Sequence, residues 1–328
     1  MLSSSAWLLL GLSALAAASP RSERRATTVT AADLAKFNLL SEYAASSYCN
    51  INSPGLLTCT ASACPEVEAA KAVSTIEFAD AITDQGGLVA TDSVNKLIVV
   101  SFRGSSSVRN FISDVLFLGS DCSFRSGCKA HSGFLVSWAS VRTRVFAAVK
   151  AAVAANPTYK IVTTGHSLGG AVATLAGADL RASGYPCDIY TFGSPRVGND
   201  VFANFVTAQA GKEFRVTHLD DPVPRLPPIL FGYRHTSPEY WLSTGTATTV
   251  DYSLAQIKVC EGTANVECNA GQGGFDTTAH GYYLGHISAC GGDLQFRDTA
   301  MEQRYANLIK YAALDVEYAH ALNASGSA

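Results

Sequence analysis

The chain has 328 residues, 48% hydrophobic and 16% charged, which is the composition of a globular enzyme with room for one large α/β domain or two small ones. Its formal charge of −3 excludes a basic nucleic-acid-binding surface. Residues 1–18 read as a secretory signal peptide: the apolar run Trp7–Leu15 precedes Ala16-Ala17-Ala18 and is too short for a membrane anchor. Arg24-Arg25 suggests a second cleavage, making 19–25 a propeptide; losing Arg21, Glu23, Arg24 and Arg25 takes the charge to −5. The catalytic domain is expected over 26–295 and a helical extension over 296–328.

In chain order, Ala31–Tyr48 carries Leu34, Phe37, Leu40 and Tyr43 at helical spacing behind Thr30 as a cap. A cysteine-bridged loop is expected over 50–72, then strands at 74–79, 86–91 and 97–102, the last nearly all apolar as a central strand should be. In Val108–Leu118, the residues Val108, Phe111, Ile112, Val115 and Leu116 form an apolar stripe opposite Arg109, Asn110, Ser113 and Asp114. Flanked by Gly104 and Gly119, this segment reads as a hinged lid. A long helix over Ser132–Ala155 closes before Asn156-Pro157. The β-branched run Ile161–Thr164 then enters Gly165-His166-Ser167-Leu168-Gly169, and an alanine-rich helix follows at once. A strand at 188–192, a helix at 200–209 and a strand at 213–218 complete the alternation, which predicts an α/β fold with a mostly parallel central sheet covered by helices on both faces. Near the end, Tyr305, Leu308, Ile309, Ala312, Val316 and Ala319 predict a docked amphipathic helix over 300–322, with a glycosylation sequon at Asn323 just beyond.

Nine cysteines in a chain read as secreted imply disulfides. No C-x-x-C pair exists and the close pairs lack a histidine at ligand spacing, so no metal is expected. The expected bridges are Cys59–Cys64, Cys122–Cys128 and Cys260–Cys268, with Cys49–Cys290 tying the ends together and Cys187 left over, buried at the start of a strand.

The chemistry centres on the G-x-S-x-G turn. Small residues on both sides let Ser167 take a strained conformation, with the free N–H groups of a helix start behind it, as an acyl-transfer nucleophile requires. A base and a carboxylate must follow, in the order Ser, acid, His for an α/β-hydrolase arrangement. Asp220-Asp221 follows the strand ending at His218, while His218, His235, His280, His286 and His320 are the downstream histidines.

Five runs settle the choice by resemblance: Ser101-Phe102-Arg103-Gly104-Ser105, Gly165 to Ala171, Gly193 to Asn199, Asp221 to Pro228 and Ser237 to Trp241. In order, over about residues 30–290, they resemble the secreted filamentous-fungal lipases of class 3, whose Rhizomucor, Thermomyces and Fusarium enzymes share the α/β-hydrolase fold with a helical lid. The Fusarium type is the most similar, through Cys260-Glu261-Gly262 and Cys268. The resemblance implies Ser167 as nucleophile, His280 as base, Asp221 as acid, and an oxyanion hole from Ser105 and the Leu168 N–H. It also implies triacylglycerol hydrolysis at an oil–water interface with no cofactor and no obligate protein partner. A feruloyl or other soluble-ester hydrolase on the same fold is the alternative, and a catalytically idle lipid-binding member the non-enzyme one.

Overall fold

The computed structural model describes residues 28–104, 118–291 and 299–324. The leader and propeptide expected at 1–25, Ser105, and the lid residues Val108, Phe111, Ile112, Val115 and Leu116 lie outside the described residues.

The fold is organised around one eight-stranded sheet. Its strands are β1 (Val73–Ala79), β2 (Gly86–Asp92), β3 (Leu97–Phe102), β6 (Lys160–His166), β7 (Cys187–Phe192), β9 (Glu213–His218), β11 (Glu239–Leu242) and β12 (Ile257–Cys260), lying side by side in that order. From β3 to β11 every neighbouring pair is parallel; β1, β2 and β12 add antiparallel margins. Strand periodicity explains why both faces are dry. Along β3, Ile98, Val100 and Phe102 enter the core on one side, while Leu97 and Val99 enter the core on the other.

Helix α1 (Ala31–Cys49) covers the second face through Phe37, Leu40 and Tyr43. Its start is a capping box in which Thr30 and Asp33 satisfy each other's backbone N–H at 3.1 Å. On the first face lie α3 (Ser132–Ala155), through Phe134, Trp138, Val141 and Val145, and α4 (Leu168–Ala182). The region read as a loop at 50–72 contains the short helix α2 (Pro65–Ala69), which five residues are too few to announce by periodicity. The helix expected at 200–209 is α5 (Asp200–Ala208). A second antiparallel sheet was not foreseen: β10 (Tyr233–Arg234), β8 (Gly198–Asn199), β5 (Lys129–His131) and β4 (Gly119–Asp121).

The C-terminal helix α6 runs Thr299–Ala324, so Asn323 falls in its final turn rather than beyond it. Ala319 packs with Ile229, Ala264, Val266 and Ala270, and the Tyr311 ring meets Phe231 edge-on at 5.3 Å. All four expected disulfides are present, and Cys187 is a buried free thiol at the first position of β7. Among the described residues, no helix is long and apolar enough to cross a membrane.

Candidate active site

The sheet delivers the expected groups to one place, because β6, β7 and β9 are adjacent and parallel and each is followed by a loop at its carboxyl end. Ser167 follows β6 directly, with φ 58° and ψ −131°. A residue with a side chain in that region costs about 1–3 kcal/mol. The turn holds the strain because the Ser167 N–H donates to the Phe192 carbonyl at 2.9 Å and the residues two places before and after it, Gly165 and Gly169, carry no side chains. A Cβ at Gly169 would collide with the Phe102 carbonyl, and one at Gly165 with the Gly169 carbonyl.

Leu168 is the first residue of α4, so its N–H lacks an intrahelical partner and points the positive end of the helix at the serine. The β3 strand ends alongside: a Cβ on Gly104 would stand 3.1 Å from Ser167 Cβ, leaving no room for a side chain there.

Asp221 lies on the loop after β9, fully buried, with three donors on its carboxylate. His280 Nδ1 donates to Oδ2 at 2.8 Å, the Tyr283 hydroxyl to the same oxygen at 2.5 Å, and the Val223 N–H to Oδ1 at 2.9 Å. His280 therefore presents its Nε2 lone pair, which is buried and has no hydrogen-bond partner. That nitrogen can accept a proton. Gly193, immediately after the Phe192 that holds Ser167, brings the parts together: a Cβ there would be 3.0 Å from Asp221 Oδ2 and 3.1 Å from His280 Cε1. Asp220 turns elsewhere, its carboxylate lying against Gly274.

Two supporting groups escaped sequence reasoning. His166 Nε2 donates to the His280 carbonyl at 2.7 Å, so its Nδ1 accepts from the Tyr48 hydroxyl at 2.8 Å. Complete burial, helped by the neighbouring His280, holds the His166 pKa well below the usual histidine range, which keeps this relay neutral. Tyr283 is the second, and burial beside Asp221 drives its phenol pKa far up, fixing it as a donor. Only its position three residues after His280 could have signalled it.

His218, His235, His131 and His286 are engaged in other contacts. His218 Nδ1 donates to the Ala279 carbonyl at 3.0 Å while Nε2 meets the Tyr252 hydroxyl at 2.8 Å, and His235 Nε2 donates to the Pro224 carbonyl at 2.7 Å. His131 lies over the Phe134 ring, and burial lowers its pKa to about 4. His286 stacks on Tyr282.

Tyr283→Phe should keep the fold but lower stability by about 1.5–3 kcal/mol, the usual worth of a hydrogen bond to a charged group. Turnover should fall much less than on loss of the acid. A urea midpoint alongside kcat checks both, and an unchanged midpoint would mean that the bond contributes nothing.

The family model described as lipase (class 3) matches residues 99–231. The chain is 49% identical over 323 residues to the secreted mono- and diacylglycerol lipase 1 of Fusarium solani, covering 94% of this chain and 97% of that protein. A crystal structure of a mono- and diacylglycerol lipase from Aspergillus oryzae superimposes with a TM-score of 0.75 at 40% identity, covering 80% of this chain and 99% of the other. Another, of a triacylglycerol lipase whose catalytic centre is described as a serine protease triad, gives 0.68 at 32% identity, covering 79% and 96%. Identity of this extent over nearly the whole of both sequences shows that the chain belongs to the class 3 lipase family.

Proposed function

We propose that the protein is a secreted serine hydrolase of acylglycerol esters, with Ser167, His280 and Asp221 as its catalytic triad. The observation that carries the reading is the unpartnered, buried Nε2 of His280, oriented by Asp221, with both packed on Gly193, which adjoins the Phe192 whose carbonyl holds the strained Ser167 at a helix start. In this mechanism Ser167 Oγ attacks the ester carbonyl as His280 Nε2 takes its proton. The oxyanion is held by the Leu168 N–H and by Ser105, which follows the Gly104 packed against Ser167. His280 returns the proton to the departing alcohol, and a water, activated the same way, releases the acid from the acyl-enzyme. Asp221 orients the imidazole and stabilises the imidazolium that forms.

Secretion is supported by the apolar run near the N-terminus, the four disulfides and the relatives named as secreted. For the substrate, the relatives at 49% and 43% identity are named for mono- and diacylglycerols, so partial glycerides are the favoured class. Triacylglycerol, expected from the sequence alone, is the competing reading. Residues 108–118 act in this proposal as a lid whose stripe exchanges contact with the Ser167 pocket for contact with lipid, so that opening loses little apolar burial.

One experiment tests substrate and lid together: initial rates on mono-, di- and triacylglycerols of one short chain length, each taken through its solubility limit. The expected result is faster hydrolysis of the partial glycerides and a jump in rate above the limit. Phe111→Asp should lose the jump while keeping its rate on dissolved p-nitrophenyl acetate. A smooth curve for the unmutated enzyme would exclude the lid, and a triacylglycerol preference would overturn the substrate assignment.

A further inference from the structure

The docked C-terminal helix reaches the site through one carboxylate. Asp315 is buried, with 3% of its surface exposed, although α6 is otherwise an amphipathic helix on the outside of the domain. Its Oδ2 accepts from the Ile229 N–H at 2.6 Å and from Arg196 Nη1 at 3.1 Å, while Oδ1 accepts from the Leu230 N–H at 2.9 Å.

Arg196 is what makes this more than a docking contact. Its guanidinium is also buried, and the same Nη1 donates to the carbonyls of Arg225 at 2.5 Å and Pro227 at 2.9 Å. Its backbone N–H donates to Leu226 at 2.7 Å. Arg196 thus belongs to the loop that begins at Gly193, beside His280, and clamps the stretch that begins at Asp221. Asp315 closes the far side of that clamp, and its other two bonds fix the turn at Ile229–Phe231 where the same stretch ends. Among the other charges acting on Arg196, Arg215, Arg234 and Arg225 repel it, and Glu239 attracts it less than Asp315 does. Removing Asp315 would leave a buried guanidinium whose two carbonyl contacts are free to rearrange, and with them the segment that aims Asp221.

We propose that Asp315 is a positioning residue for the catalytic acid: through Arg196 it holds the 221–230 segment in register with the 193–196 loop, making the C-terminal helix a working part of the active site. The proposal rests on the triad assignment above. Because misplacement of a catalytic group by about 1 Å can cost 10²-fold in rate, the effect should appear in turnover and not in substrate affinity.

The test compares Asp315→Ala and Asp315→Asn with Leu308→Ala, which trims a buried α6 side chain about two turns before Asp315. Active sites are counted by a fluorophosphonate burst, and kcat and KM for dissolved p-nitrophenyl butyrate are measured per active site, each variant well below its own melting temperature. Asp315→Ala should lower kcat roughly ten- to hundredfold with KM nearly unchanged. Asp315→Asn, which keeps one acceptor oxygen, should recover part of the loss. Leu308→Ala should lower the melting temperature but leave kcat per site intact. Unchanged kcat per site in Asp315→Ala would overturn the proposal, and so would an equal loss in Leu308→Ala, since helix docking alone would then be responsible. If Ser167→Ala still took the fluorophosphonate, the triad assignment would be what failed.

Discussion

Ser167→Ala should abolish ester turnover, with a fall of roughly 10⁶ in kcat, and Asp221→Asn should cost roughly 10⁴, the scale found when members of such a unit are removed. Asp220→Asn should stay within a few-fold of the unmutated enzyme. The contrast between two adjacent aspartates follows from the distances. Asp221 Oδ2 receives both His280 Nδ1 at 2.8 Å and the Tyr283 hydroxyl at 2.5 Å, whereas Asp220 is partly exposed and faces Gly274. An amide at 221 would either turn its NH₂ toward the imidazole, favouring the wrong tautomer, or turn it against the Tyr283 hydroxyl. In either case His280 Nε2 loses the lone pair or the orientation that makes it a base. Because the three residues act together, Ser167→Ala combined with Asp221→Asn should be no worse than Ser167→Ala alone. The measurement is kcat/KM on a dissolved ester for the single and double variants. A greater loss in Asp220→Asn than in Asp221→Asn would show that the acid has been misassigned.

The elements that carry the chemistry were the easiest to read. The helix at Ser132–Ala155 begins and ends where its apolar stripe and the Asn156-Pro157 stop place it, and the strand Glu213–His218 matches residue for residue, because each pattern is local and unbroken. The two-residue strands β8 and β10 were not legible, since their only signature is a pairing 34 residues apart, Tyr233 with Asn199. The site shows the same division. The serine turn announced itself through five consecutive residues, but spacing alone could not choose among the histidines after it. The hydrogen-bond inventory does: both nitrogens of His218 are occupied, His235 donates to a carbonyl, and His280 alone pairs with Asp221 and keeps Nε2 open. Tyr48, 118 residues from the His166 it bonds, gave no sequence signal. Asp315 was invisible for a related reason: a hydrophobic stripe identifies the face of a helix that docks, and a carboxylate buried within the contact contradicts the pattern unless its distant partner Arg196 is known.

Replacing both Cys49 and Cys290 by serine should cost more stability than removing any other bridge, about 5 kcal/mol in the chain-entropy model. The reason is loop length. Cys49–Cys290 spans 241 residues, whereas Cys59–Cys64, Cys122–Cys128 and Cys260–Cys268 span 5, 6 and 8, for which the same model gives roughly 2 to 2.5 kcal/mol each. The long bridge also has a local role. It ties the end of α1 to the segment just past His280, and Tyr48, next to Cys49, bonds the His166 that in turn holds the His280 carbonyl. Gly291, the neighbour of Cys290, closes on the same tyrosine, with space for a Cβ only 2.8 Å from Tyr48 Cδ1. Loss of the bridge should therefore loosen the seat of the base as well as the fold, so kcat should decline at temperatures where circular dichroism still reports a native protein. Urea unfolding of the double-serine variants at Cys49/Cys290 and Cys122/Cys128, followed together with kcat, gives the comparison. If the two midpoints shift equally, the long loop contributes nothing beyond a local staple; if the Cys49/Cys290 variant keeps full kcat up to its unfolding transition, the bridge does not support His280.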